Sequence, residues 1–324
     1  MSNQPIALVT GGAGFIGSHI VDLLLEQGSE VRVLDNLTGG RLQNLEHHKA
    51  NPLLTFHNLD ITTVELNHPI FGDVDWLFHM AGIGDIVPSI ERPLDYFHTN
   101  AFGTTRIAEA ARNANVKKVV YAASSSCYGI AAVPTNELAP IDPQYPYALT
   151  KYIGEQTLFH WHQVYGLPVN SIRIFNAYGP RSRTSGAYGA VFGVFLRQKL
   201  AGKPLTVVGD GMQSRDFVYA TDVARAFVAA AVTDKVGEIY NIGAGNETAN
   251  RVLVDKLLAL LGKDESSVQY VADRLGHDRR YSVDITKITK LGWKRSRSLD
   301  EALEATVNWY RDNRWWWEPL KAKK

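Results

Sequence analysis

Three side chains, Ser124, Tyr147 and Lys151, have the types and spacing to take a proton from an alcohol. If Tyr147 opens a helix, Lys151 is its i+4 neighbour and lies on the same face. An ammonium near a phenol stabilises the phenolate and lowers its pKa from about 10. A serine hydroxyl within reach shares the proton, and the group becomes a base that works near neutral pH. Tyr-x-x-x-Lys alone also fits a surface Tyr and Lys on any amphipathic helix. The assignment therefore rests on the elements that must position these residues.

Ile6–Val9 is a continuous apolar run, the pattern of a buried parallel strand. Gly11-Gly12-Ala13-Gly14-Phe15-Ile16-Gly17 follows at once, and then a helical stripe through Ile16, Ile20, Leu23 and Leu24. Strand, glycine turn and helix together suit a pyrophosphate, which the backbone approaches closely and the helix N-terminus attracts. The spacing is G-x-x-G-x-x-G, which taken alone also fits a structural turn. A second strand, Glu30–Leu34, ends in Asp35, roughly 20 residues past the loop, where a carboxylate binds the adenine ribose of NAD and repels the extra phosphate of NADP. Arg41 is the one nearby residue that argues otherwise.

Further strands are expected at Leu54–Phe56, Trp76–Phe78, Lys118–Ala122 and Arg173–Asn176, with a helix over Pro93–Asn115. The alternation predicts a Rossmann-type, doubly wound parallel sheet of the α/β class. Asp60 and Ile61, Ala81 and Gly82, and Ser124 then fall at its carboxyl edge, where ligands bind, and Tyr147 opens the next helix. The convergence of these segments on one crevice carries the argument. The Rossmann unit is expected over 1–176 with a return segment near 217–243, and a smaller α/β substrate lobe over 177–324. That lobe begins with a glycine-rich basic loop at Tyr178–Gly186 and continues with helices at Val191–Leu200, Asp222–Val232, Arg251–Leu261 and Asp300–Arg311 and strands at Leu205–Val208 and Ile239–Ile242.

Lys+Arg is 34 and Asp+Glu 33 in 324 residues, a net charge of +1 that gives no footing for a nucleic-acid partner. Cys127 is the single cysteine, so no intrachain disulfide forms. No basic n-region precedes Ile6 and no apolar run approaches the roughly 20 residues that cross a bilayer, so a cytoplasmic protein without membrane contact is expected. A nucleophilic role for Cys127 lacks a nearby histidine in sequence. His160 and His162 diverge on a helix, and no metal site is expected. Arg181 and Arg183 fit either phosphate contacts or a solvated loop, and Trp315–Trp317 fits a packed C-terminal segment.

With these residues in place, the chain resembles the extended short-chain dehydrogenase/reductase family, specifically its nucleotide-sugar epimerases and dehydratases. The resemblance runs nearly end to end, through Thr10–His19, Leu34–Leu37, Asn100–Thr104, Ser124–Gly129, Tyr147–Lys151, Arg173–Pro180 and Arg215–Tyr219. It implies bound NAD and a nucleoside-diphosphate sugar between two lobes. It assigns Gly11, Gly14 and Gly17 to the pyrophosphate, Phe15 and Ile16 to the cofactor site beside them, and Asp35 and Asn36 to the adenosine ribose. Asp60 and Ile61 go to the adenine, and Ala81, Gly82 and Asn100 to the nicotinamide half. Tyr147 is then the base, Lys151 tunes it and holds the nicotinamide ribose, and Ser124 is the catalytic hydroxyl. Ser124, Ser125, Ser126, Asn176, Arg215, Arg274 and Tyr281 are the implied substrate ligands.

The serine run separates subclasses. The family's 4,6-dehydratases carry Thr-Asp-Glu or Thr-Ser-Glu there, and the acid and glutamate run an elimination. Ser124-Ser125-Ser126 offers no carboxylate, which leaves oxidation and re-reduction, that is, epimerisation at C4 of a UDP-glucose/UDP-galactose type substrate. Gly276–Tyr281 and the Trp-rich end look instead like dTDP-glucose dehydratases. Other carbons, dTDP-, GDP- or CDP-sugars, 4,6-dehydration and net dehydrogenation are the alternatives. The stretch Gly189–Gly193 lacks the asparagine of the 4-epimerases, and Tyr281 sits where a bulky residue favours an unacetylated hexose. The resemblance also implies a homodimer that pairs Pro93–Asn115 and Tyr147–Tyr165 across a two-fold axis.

Overall fold

The computed structural model describes residues 4–182, 191–271 and 280–318. In chain order the strands are β1 (Ile6–Thr10), β2 (Glu30–Leu34), β3 (Leu54–His57), β4 (Trp76–His79), β5 (Lys118–Ser124), β6 (Val169–Ile174), β7 (Asn176–Tyr178), β8 (Leu205–Val208), β9 (Ser214–Tyr219), β10 (Glu238–Ile242), β11 (Glu247–Ala249), β12 (Val268–Val271) and β13 (Arg280–Tyr281). The helices are α1 (Phe15–Glu26), α2 (Ile86–Glu91), α3 (Pro93–Tyr96), α4 (Thr104–Asn113), α5 (Pro146–Tyr165), α6 (Val191–Leu200), α7 (Ala220–Val232), α8 (Asn250–Leu260), α9 (Thr286–Thr289), α10 (Leu299–Asp312) and α11 (Arg314–Trp317).

Seven parallel strands form the main sheet in the order β10-β6-β5-β4-β1-β2-β3. The order reverses between β1 and β4, and the crevice opens there at the carboxyl ends of the strands. Central strands are apolar on both faces because both faces are covered. Ile20 and Leu24 of α1 pack with Phe227 of α7 on one side. Ile107 of α4 and Leu158 of α5 pack on the other. A second core joins Leu196, Leu253, Leu303 and Tyr310 around a small sheet in which β9 pairs with β7, β11 and β13. The chain thus leaves the main sheet after β6 and returns to it through α7 and β10.

Two segments differ from the sequence expectation. The helix expected over Pro93–Asn115 is α3, a wide π turn at Phe97–Gly103, and α4. The extra residue of a π turn re-aims the side chains beside it, and here Asn100 is the one turned into the interior. The sixth strand ends at Ile174, not at Asn176. At Phe175 the backbone hydrogen-bonds to Ile242 across the sheet edge, and Asn176 then begins β7, which pairs with β9.

Two histidines are buried on the floor and flank of the crevice. His79 Nδ1 and Nε2 are 2.7 and 2.9 Å from the hydroxyls of Thr10 and Thr104. His19 has Pro180 O on one ring nitrogen at 3.0 Å and Arg181 on the other at 2.8 Å. Burial holds both imidazoles down to about 3, helped by the positive charge of Lys151 for His79 and of Arg181 for His19. The unfolded chain takes up these protons below pH 6.5 and the fold refuses them until about 3. Stability is therefore complete above pH 6.5 and falls as the pH drops. Going from pH 7 to 5 costs about 2 kcal/mol for each histidine. Urea unfolding at both pH values checks the sum. In an NMR titration the C2–H signals of His19 and His79 should stay unshifted down to about pH 4.5.

Candidate active site

One large cavity of about 1930 Å³ runs along the carboxyl edge of the main sheet and between the two cores. Its walls include Gly11, Gly14, Phe15, Ile16, Gly17, Asp35, Asn36, Asp60, Ile61, Ala81 and Gly82, as expected from the sequence, and also Ser124, Ser125, Ser126, Tyr147, Lys151, Asn176 and Arg215. A volume this far above the 300–1,000 Å³ of ordinary ligand pockets suits two extended ligands end to end.

At one end the glycine turn closes tightly. Gly11 has φ +69, and a Cβ on it would lie 2.7 Å from Ala81 N. A Cβ on Gly17 would lie 2.2 Å from Gly11 O and 2.9 Å from Gly11 C, backbone that cannot yield cheaply. Asp35 is fixed at the end of β2, where Oδ2 accepts from Ala13 N at 3.0 Å and Oδ1 from Leu37 N at 2.8 Å. Burial raises its carboxyl above the usual range and the two backbone donors oppose this. Asn36 donates to Asp60 at 2.8 Å, so the ends of β2 and β3 form one polar rim. This cradle fits a dinucleotide. The turn lets a pyrophosphate approach bare backbone, and carboxylates face where ribose hydroxyls would lie. Arg41 is already engaged by the C-terminal segment. It stacks 4.0 Å over the Trp316 ring and donates to Trp316 O at 3.0 Å, and so does not act as a free clamp for a 2′-phosphate.

Gly17→Ala tests the cradle. The added methyl forces the turn open at a strain of about 1–3 kcal/mol, or about 10–100-fold in dinucleotide affinity. Calorimetric titration of NAD into the stripped variant measures the loss.

The chemical centre is built from α5 and the loops after β4 and β5. Pro146 starts α5, so Tyr147 and Lys151 stand one turn apart. Lys151 is buried. Its Nζ lies 4.4 Å from the Tyr121 ring centre, and a Cβ on Gly82 would lie 3.7 Å from it. Burial drops its amine to about 7, and Glu155 pulls it back up. Tyr147 meets Tyr96 edge-on at 6.4 Å. Ser124 ends β5, and its Oγ accepts from Ser126 N at 3.2 Å, which leaves the hydroxyl its own proton to donate.

Asn100 plays a different part from the one expected. It does not line the cavity. Its Oδ1 accepts from Ile83 N at 2.8 Å, and its Nδ2 donates to Ile83 O at 3.0 Å and to Thr150 Oγ1 at 3.1 Å. Thr150 in turn donates to Tyr147 O at 3.0 Å. Asn100 thus ties the loop after β4 to the first turn of α5 from behind the wall. Asn176 does line the cavity and donates to Asp216 O at 3.3 Å. Arg215 lines it too, with one guanidinium N–H on Ser214 O at 2.8 Å. Arg274 lies outside the described residues. For Tyr281 the backbone alone is described, pairing with Arg215 in register.

Residues beyond the sequence reading also shape the site. Asp85 lines the cavity with φ 137 and ψ 132, a conformation proper to glycine. Holding a side chain there costs on the order of 1–3 kcal/mol. The run Gly82-Ile83-Gly84-Asp85 was the available signal. Trp316 lines the adenosine end, with its indole N–H on Ser182 O at 3.0 Å. Behind Ser124, Glu155 accepts from Ser171 at 2.7 Å and from Arg173 at 3.1 and 2.5 Å, and Arg173 reaches Tyr128 OH at 2.8 Å. Glu155 is four residues past Lys151, the helical repeat that places it on the same face. Cys127 is buried and its thiol is pushed up to about 12, so it is no nucleophile. His162 is taken by Leu167 O at 2.8 Å.

A family model described as the NAD dependent epimerase/dehydratase family matches residues 7–243. The chain is 38% identical over 309 residues to a putative UDP-glucose 4-epimerase of Methanocaldococcus jannaschii, covering 94% of this chain and 98% of that protein. It is similar in structure to the dTDP-glucose 4,6-dehydratase of Streptomyces venezuelae, crystallised with NAD, with a TM-score of 0.90 and 39% identity over 97% of this chain and 99% of that one. It is equally close in structure to a UDP-N-acetylglucosamine 4-epimerase of Methanobrevibacter ruminantium, with a TM-score of 0.90 and 32% identity over 95% and 99% of the two chains.

Proposed function

The chain belongs to the NAD-dependent epimerase/dehydratase family of extended short-chain dehydrogenases/reductases and uses NAD, and we propose that it epimerises a nucleoside-diphosphate hexose at C4, with a UDP-glucose/UDP-galactose type substrate. The carrying observation is the cavity-lining run Ser124-Ser125-Ser126 next to Tyr147 and Lys151. An elimination needs an acid and a base in that turn, and three hydroxyls supply neither at neutral pH.

In this reading Tyr147 takes the proton of the sugar 4-hydroxyl, with Ser124 bridging. Lys151, buried in the cavity wall, holds the phenolate by its charge, which acts more strongly there than in bulk water. NAD held by the Gly11–Gly17 turn and Asp35 would supply a reversible hydride acceptor beside the sugar. Arg215 holds the diphosphate while the sugar ring turns. The aromatic wall of Phe192, Phe217 and Tyr178, in which the Tyr178 and Phe192 rings stack at 4.3 Å, takes the nucleotide base.

The test is incubation with UDP-glucose, UDP-galactose and their N-acetyl forms, with no added cofactor, resolved by NMR. Interconversion of galacto and gluco forms supports the reading. No conversion of any of them overturns it. The second reading is 4,6-dehydration of a dTDP-hexose. It is favoured by the dehydratase likeness and by the Asp85 carboxylate in the cavity wall. It predicts a 4-keto-6-deoxy product from dTDP-glucose.

We also propose a homodimer. Leu94, Phe97, Phe102 and Leu149 are exposed on the face made by α3, the π turn and α5. A charge there disfavours burial, so Phe102→Glu is expected to halve the mass measured by light scattering. A wild-type mass near 35.9 kDa sinks this arrangement.

A further inference from the structure

On the outer surface of α1, away from the catalytic centre, three metal-ligating side chains converge. Asp22 projects from α1, and His47 and His48 from the short helical turn at Glu46–His48. Both imidazoles turn Nε2 to the same oxygen, with His47 Nε2 2.9 Å and His48 Nε2 3.0 Å from Asp22 Oδ1. Their ring centres are 4.1 Å apart with the planes tilted by 42°, and the two sequence neighbours present their nitrogens to one oxygen. We propose that Asp22, His47 and His48 form a binding site for a divalent transition-metal ion of the zinc class.

The donor set is two neutral imidazoles and one carboxylate, the chemistry that zinc and its imidazole-preferring neighbours select over magnesium or calcium. Zinc holds nitrogen and oxygen at about 2.0–2.1 Å, which sets tetrahedral ligands about 3.3 Å apart. The two nitrogen-to-oxygen spacings are within a few tenths of an ångström of that, and all three ligand atoms lie within 4.8 Å of one another, a span that side-chain rotation can close. Facing the carboxylate, each neutral imidazole carries its proton on Nε2 toward Oδ1; an ion takes the Nδ1–H tautomer, the proton passing from Nε2 to Nδ1 by way of solvent with none released.

The carboxylate is also oriented from behind. Arg181 binds the other oxygen, Oδ2, and donates to Asn44 O at 3.0 Å and to His19 at 2.8 Å. Arg181 thereby holds the carboxylate without taking Oδ1, the oxygen that both histidines face. Such an outer partner fixes a ligand's orientation. His19 is not a fourth ligand, since both of its ring nitrogens are engaged. His47 is half-exposed, which opens the fourth position to water. Arg181 also lines the main cavity, so the ion shares Asp22 with a residue of the cavity wall.

The test uses the untagged full chain, stripped with a chelator and titrated with Co²⁺ while visible absorption is recorded. The expected result is one equivalent of four-coordinate cobalt, displaced by Zn²⁺. In the His47→Gln/His48→Gln double variant, affinity falls by more than the 10–100-fold that loss of an outer partner costs. His160→Gln, on the exposed side of α5, leaves the titration unchanged. The double variant changes a surface turn, and its circular dichroism and NAD content verify folding. No saturable cobalt band in the wild type, or the same band in the folded double variant, overturns the site.

Discussion

Tyr147→Phe is expected to lower turnover by about 10²–10⁴-fold, the range that a positioned acid–base group contributes. The variant should retain NAD and substrate affinity within a few-fold. The reason is local. The phenyl ring keeps its edge contact with Tyr96, and the backbone of residue 147 keeps its bond from Thr150, so α5 starts as before. Only the hydroxyl is lost, and with it the cavity-lining phenol one helical turn before Lys151. Single-turnover NMR with the best nucleotide sugar measures the rate, and the absorbance of resident cofactor measures retention. Loss of less than tenfold would move the base to another group lining the cavity, with Asp85 first in line. Loss of cofactor together with rate would show that the phenol serves binding and not proton transfer.

The parts of this site that were legible in the sequence are those made by short, local patterns. Gly11–Gly17 between an apolar strand and a helical stripe announces its turn. Asp35 at the end of β2 and Ser124 at the end of β5 follow from strand boundaries alone, because the carboxyl ends of parallel strands share one edge. Tyr147 and Lys151 follow from the helical repeat. What was not legible depends on contacts between distant segments. Asn100 sits in a motif of the family, and nothing local tells that a π turn rotates it behind the wall onto Ile83 and Thr150. Asn176 reads as the end of an apolar strand, and only the switch at Phe175 sends it to the second sheet. Trp316 reads as part of a packed tail, yet its indole and Arg41 close the adenosine end. For Asp85 the glycines at 82 and 84 hint at a tight segment, but its φ of 137 follows only from how that segment packs.

Glu155→Gln should be the most damaging single change to stability, at about 3–5 kcal/mol, because it leaves a buried guanidinium without its counter-charge. Glu155 and Arg173 have side chains 1% and 2% exposed, and the pair is joined through two guanidinium nitrogens. A glutamine keeps the shape but turns an N–H₂ toward donors, so at least one contact becomes donor against donor. The strain spreads along the network. Arg173 holds Tyr128 OH, and Tyr128 OH donates to Asn241 at 2.8 Å, so the turn after Ser124 and the return strand β10 loosen together. Urea unfolding gives the stability loss. Replacing both partners, Glu155→Leu with Arg173→Met, should lose less than Glu155→Gln alone, since no buried charge then lacks a partner. The variant also bears on chemistry. Glu155 supports the charged form of Lys151 against burial, so its neutralisation moves the amine further below about 7. Less of Lys151 is then charged at neutral pH, and the rate should fall further as pH rises through that region. A pH profile unchanged in Glu155→Gln would make Glu155 a structural group alone, whereas a rate loss that steepens toward high pH makes it the residue that positions and charges the catalytic lysine.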